Sequence, residues 1–125
     1  MNFNYTEDQL AIKDVAERIF RDLCSDETIK QCFKLAQPFH RELWQQLASA
    51  GLLATPLPAE FGGSDMGLTE LGMILEAQGK SVAPIPLVET VVECAMPIAQ
   101  FGSDALTRIC SSVGGLGLFL FGEFG

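Results

Sequence analysis

Apolar residues recur along this chain with the period of a helix far more often than with that of a strand. Ile12, Ala16, Ile19, Phe20 and Leu23 fall on one stripe of a 3.6-residue repeat. Asp14 with Arg18 and Glu17 with Arg21 fall on the other side as i,i+4 pairs. Thr6 followed by Gln9 has the form of a capping box, and Glu7 and Asp8 place negative charge at the positive end of the helix dipole. The pattern therefore predicts a first helix beginning after Thr6. From Ser25 to Gln37 no clean period appears, which predicts a loop with at most a helical turn, closed by Pro38.

A second helix is predicted from Phe39 to Ala50, burying Leu43, Trp44 and Leu47, with Gly51 as its left-handed terminator and Leu52 beside it. A third runs from Leu68 to Lys80, with Leu71, Ile74, Leu75 and Gln78 on one side. Gly72 and Gly79 offer close approach to a neighbour, and Glu76 pairs with Lys80. Pro84 and Pro86 interrupt the chain, since both cannot sit inside a helix without losing donors and clashing. A fourth helix restarts near Leu87 with Val88, Val91, Val92 and Ala95, and Pro97 kinks or ends it. Ser103 and Asp104 cap a short fifth helix through Cys110 that buries Leu106 and Ile109. Leu118 to Phe121 reads as a buried strand, because the glycines before it disfavour helix. The expected fold is thus all-α, a bundle of about five helices ending in the start of a β-strand. Residues 1–113 form the helical domain, and 114–125 an apolar, glycine-rich tail that calls for a sheet partner.

The segment between the second and third helices is longer and more punctuated than a turn needs. In Ala50 to Leu71, Pro56 and Pro58 fix two φ angles, Thr55 and Leu57 are biased to extended backbone, and Gly62 and Gly63 permit positive φ. Phe61, between Glu60 and the glycines, predicts a folded, plugged elbow rather than a loose loop.

Composition narrows the function. The chain has 125 residues and a net charge of −8, with no basic run to neutralise phosphates, so nucleic acid is excluded as a partner. Its start lacks the features of a secretory or transit peptide, which points to the cytoplasm. Leu116 to Phe121, the longest strongly apolar tract, is far short of the ~20 residues of a membrane span. Cys24, Cys32, Cys94 and Cys110 show no C-x-x-C spacing and are read as reduced, mostly buried thiols. His40, the one histidine, has no acid, thiol or second histidine at ligand spacing and is read as a surface or capping group. Gly115, Gly117 and Gly122 do not make G-x-G-x-x-G, and no serine has a histidine placed to activate it. Glu70, Glu76, Glu89 and Glu93 are acid/base candidates by type, although helical carboxylates are ordinarily solvated. No metal site and no self-contained catalytic site emerges.

Three stretches taken together resemble the N-terminal helical domain of the flavin-dependent acyl-CoA dehydrogenases: YTEDQLAIKDVAERIF, LWQQLASAGLLATPLPAEFGGSDMGLTELGMILEAQGKSVAPIPLVET and MPIAQFGSDALTRI. The likeness spans about Asn4 to Ile109, and the AGL…PAEFGG connector is its most specific part. It implies α,β-desaturation of an acyl-CoA thioester in fatty-acid-type metabolism. A carboxylate takes the proton beside the carbonyl, and hydride passes from the next carbon to FAD. In that family the base and most flavin contacts belong to a middle β-domain and a C-terminal helical domain. The tail departs from the family's entry into the middle domain: Glu123 fits, but Gly122 stands for a threonine and Phe124 for a proline.

The resemblance therefore implies no catalytic residue and no FAD binding by this chain alone. It implies partners: acyl-CoA for the complete enzyme, and further domains or a second subunit. Self-association is open. By spacing from Pro97, Glu89 matches a helix position that borders the far end of the acyl-chain pocket in some family members, and it is the one substrate-binding candidate. A stand-alone helical interaction module and one subunit of a split enzyme are the competing readings.

Overall fold

The computed structural model describes residues 4–37 and 39–106; among them every regular element is helical and none is a strand. The predicted β-strand, Cys110 and Ile109 lie outside the described residues, as does the boundary at residue 113.

Helix α1 spans Glu7–Leu23. Its capping box forms as predicted: the Thr6 hydroxyl accepts from the Gln9 amide at 3.3 Å, and Gln9 Oε1 accepts from the Thr6 amide at 2.9 Å. Helix α2 spans Asp26–Lys34, where a loop was expected. The period there is weak, and the ends make the helix: Ser25 and Thr28 cap each other reciprocally, Asp26 and Glu27 occupy the first turn, and Lys34 the last.

Helix α3 covers Arg41–Ser49, and Gly51 follows it at φ +75° as predicted. Helix α4 covers Leu68–Ser81. Its first free amide, that of Gly67, donates to Glu70 Oε2 at 2.9 Å. Val82 ends it in the left-handed region at φ 50°, a costly conformation for a β-branched residue. The Gln78 amide group then donates to the carbonyls of Ala83 and Ile85, fixing the proline-containing reversal.

Helices α1 and α4 run parallel, because their contacts advance together: Gln9 Nε2 donates to Glu70 Oε1 at 2.7 Å, Lys80 meets Glu17 at 3.3 Å, and the Cys24 thiol donates to Ser81 O at 3.5 Å. Glu17 thus pairs across helices rather than with Arg21. Helix α3 begins beside the end of α1, where His40 meets the Leu23 carbonyl, and packs against it. One cluster fills the space between them, with Ala16 and Phe20, Leu43, Trp44 and Leu47, and Leu71, Ile74 and Ala77 from the three helices. Phe39 packs edge-to-face on Trp44, with centroids 6.2 Å apart. Each fully buried leucine or phenylalanine here contributes about 1.5–3 kcal/mol. Gly72 and Gly79 do not serve close packing: a Cβ on either would meet no described atom within 4 Å.

Leu87 and Val91 close the same core from the final arm. That arm is a π-helix, Val88–Ala95, running directly into helix α5, Met96–Phe101. The Met96 amide reaches back five residues to Val91 O. Pro97 is the physical reason: it has no N–H to give to Glu93, and the wider turn makes room for its ring. The helix therefore continues through Pro97 rather than ending before it. Beyond it, the Ser103 hydroxyl caps a new turn by accepting from the Leu106 amide at 3.3 Å. Leu106 was expected to be buried there and is 45% exposed.

Candidate functional site

The connector is a closed elbow. Backbone bonds tie its two limbs together: Ser64 N–H to Ala54 O, Met66 N–H to Thr55 O at 3.0 Å and Asp65 N–H to Leu57 O at 2.9 Å. At its tip a 3₁₀ turn, Ala59–Phe61, ends on Gly62 at φ +83°. Gly63 is required for a different reason than positive φ. A Cβ there would overlap the Leu57 carbonyl. The plug is also a different residue: Phe61 is only half-buried, whereas Leu57, held between the two prolines, points inward.

Leu57 meets Ala95, and Ala54, Met96, Ile98 and Ala99 pack around the pair. This second, small cluster docks the elbow on the π-helix and α5. Above it an open groove of about 250 Å³ is lined by Pro56, Pro58, Met96, Ala99 and Gln100. Phe101, the next residue, is 80% exposed. Sequence reasoning missed this groove. The available signal was the Pro-x-Pro spacing, which turns Leu57 in and leaves both prolines on the rim.

Glu89 sits in the first turn of the π-helix, exposed, and its side chain makes no hydrogen bond or ion pair with any described residue. It does not line the groove. Its neighbour Thr90 is fully buried, and the Thr90 hydroxyl has no hydrogen-bond partner among the described residues. Glu93 is likewise exposed. The other two carboxylate candidates serve the fold. The hydrogen bond from Gln9, helped by amides of the helix start, holds the Glu70 carboxyl below its ordinary range. The hydrogen bond from Lys80, then its charge, does the same to Glu76, which lies 2.9 Å from it.

His40 is a cap, as read, but a buried one. The Leu43 amide donates to Nδ1 at 3.2 Å, so the proton sits on Nε2 and is donated to Leu23 O at 2.9 Å. With both ring nitrogens committed, the imidazole ties α3 to the end of α1 and is unavailable as a base. It borders a second open cavity of about 280 Å³, with Thr28, Gln31, Cys32 and Arg41. Cys24, Cys32 and Cys94 are free thiols. Burial, and then the nearby Cys32, pushes the Cys24 thiol up. Among the described residues no three His, Cys, Asp or Glu side chains gather as metal ligands. No described helix is long and apolar enough to cross a membrane.

The family model for the acyl-CoA dehydrogenase N-terminal domain matches residues 6–110. The chain belongs to the acyl-CoA dehydrogenase family. Acyl-CoA dehydrogenase FadE27 of Mycobacterium tuberculosis is 35% identical over 108 residues, covering 86% of this chain and 29% of that protein. The ChsE4-ChsE5 complex from Mycobacterium tuberculosis superposes with a TM-score of 0.80 at 33% identity, over 91% of this chain and 32% of the other. The FAD complex of PigA gives 0.74 at 26% identity, over 91% and 31%. The chain thus spans under a third of the length of each of these relatives.

The groove beside the elbow offers no charged side chain to hold a flavin pyrophosphate. Residues 81–106, the arm beside the groove, contain no lysine, arginine or histidine to meet a pyrophosphate.

Proposed function

We propose that this chain is the N-terminal helical part of an FAD-dependent acyl-CoA dehydrogenase that desaturates an acyl-CoA thioester between its α and β carbons. The single observation that carries the reading is the family match over residues 6–110 on a fold whose elbow and arm are built as rigid supports. The chain's own contribution is positional. The bundle carries the elbow, the elbow clamps the π-helix through Leu57 and Ala95, and the π-helix presents Glu89 at a fixed place. Glu89 borders the far end of the acyl pocket. The base and the flavin contacts come from further domains or from a separate subunit, so the chain is inactive alone. The ChsE4-ChsE5 complex, an assembly of two proteins, supports the two-subunit form of this reading.

The test is reconstitution. The purified chain is mixed with a polypeptide supplying the middle and C-terminal domains, and acyl-CoA-dependent dye reduction is followed. Activity that needs both supports the reading, and activity of the second polypeptide undiminished by omitting this chain refutes it. In the assembled enzyme, Glu89→Ala shifts the preferred acyl-chain length. An unchanged preference removes Glu89 from the pocket.

A further inference from the structure

The turn that joins the π-helix to α5 holds one residue more than an α-helix would. The Met96 amide donates to Val91 O, five residues back, where an α-helix would use Val92 O. Burial along this stretch is uneven. Leu87 and Val91 are fully buried and Thr90 is 1% exposed, whereas Glu89 is exposed and Val92 half-buried. Thr90 is thus the polar side chain on the buried face of the π-helix, and its hydroxyl has no partner among the described residues. At the other end Met96, Ile98 and Ala99 pack on the Leu57–Ala95 cluster, which anchors α5.

With Met96 held, removing the surplus residue from the turn would move each upstream residue into its predecessor's place. Val92 would take the place of Val91, Val91 that of Thr90, and Thr90 the exposed place of Glu89. The buried places would then all be apolar, and the Thr90 hydroxyl would reach water. The burial pattern alone therefore favours the α register, and Pro97 opposes it. In a continuous α-helix the Pro97 ring meets the carbonyl of Glu93, four residues back, and the wider turn moves that carbonyl aside. We infer that Pro97 is a positioning residue: by holding the wider turn it sets Glu89, and not Thr90, at the exposed place on this arm. A carboxylate stands where the other register would put a hydroxyl. The effect on acyl-chain choice rests on the proposed role of Glu89, whereas the register does not.

The test is the hydrogen-bond register of the ¹³C,¹⁵N-labelled full chain, read from scalar couplings between amide nitrogen and acceptor carbonyl carbon. In the wild type the Met96 nitrogen is expected to couple to the Val91 carbonyl, and in Pro97→Ala to that of Val92. A paramagnetic agent in the solvent should spare the Thr90 methyl signal in the wild type and broaden it in Pro97→Ala. Thr90→Val, which removes the buried hydroxyl, should raise the urea midpoint and keep the Val91 coupling. A wild-type coupling to Val92, a midpoint that does not rise in Thr90→Val, or a folded Pro97→Ala that keeps the Val91 coupling overturns the proposal. In the reconstituted enzyme Pro97→Ala should shift acyl-chain preference in the direction that Glu89→Thr does. A changed register with unchanged preference defeats the pocket role of Glu89 alone, and an unchanged register defeats this inference alone.

Discussion

The α1–α3–α4 bundle and the elbow–π-helix–α5 arm are held by different means. In the bundle, three helices bury Phe20, Leu43, Trp44, Leu47 and Ile74 completely or nearly so, and paired polar contacts pin the ends of α1 to α4. In the arm, Leu57 and Ala95 are the buried members of a separate cluster among the described residues, and backbone hydrogen bonds tie the limbs of the elbow. The bundle core is the larger of the two and is closed by Leu87 and Val91 from the start of the arm, while the elbow docks on the rest of the arm through the small cluster.

That contrast can be broken in graded ways. Leu43→Ala, which empties a fully buried site, is expected to cost about 4 kcal/mol in urea unfolding; a loss under 1 kcal/mol would deny the bundle its central role. Gly63→Ala is expected to cost about 2–3 kcal/mol, because its Cβ and the Leu57 carbonyl cannot share space. Hydrogen exchange should then speed up at Asp65 and Met66 before it does in α1. Leu57→Ala should cost about 2 kcal/mol and loosen α5 selectively; uniform loosening of the bundle would erase the distinction between the two regions.

Val82→Gly should stabilise by about 1 kcal/mol, since it relieves a left-handed valine whose side chain is 74% exposed and packs little. The smallest effect concerns pH. The Glu70 carboxyl is held low in the folded chain, so its contribution is complete above the ordinary carboxylate range and is lost as pH falls through its lowered value. Gln9→Ala should flatten that part of the acid unfolding curve. An unchanged curve would dismiss the Gln9–Glu70 contact as a stabilising link.

Where local chemistry and packing agree, the sequence is readable. Thr6 and Gln9, the Phe20 stripe, Gly51 after α3 and the Pro84–Pro86 break all occur as their residue types dictate. Helix α2 was hidden because its signal lies in the Ser25–Thr28 cap and not in an apolar period. The π-helix was hidden because Pro97 allows either a break or a widened turn, and burial of Val91 and Ala95 decides between them. Gly63 could be recognised as special, but its reason, contact with Leu57, is tertiary. Of the candidate site, Glu89 was legible only through family likeness. The groove needed the elbow and α5 brought together, which no spacing along the chain reveals.

The most direct measurement is the flavin content of the purified 125-residue chain, read from its visible absorbance against protein concentration. The account predicts a colourless protein that acquires FAD and acyl-CoA-dependent dye reduction only with a second polypeptide. A stoichiometric yellow complex that oxidises acyl-CoA by itself would contradict it.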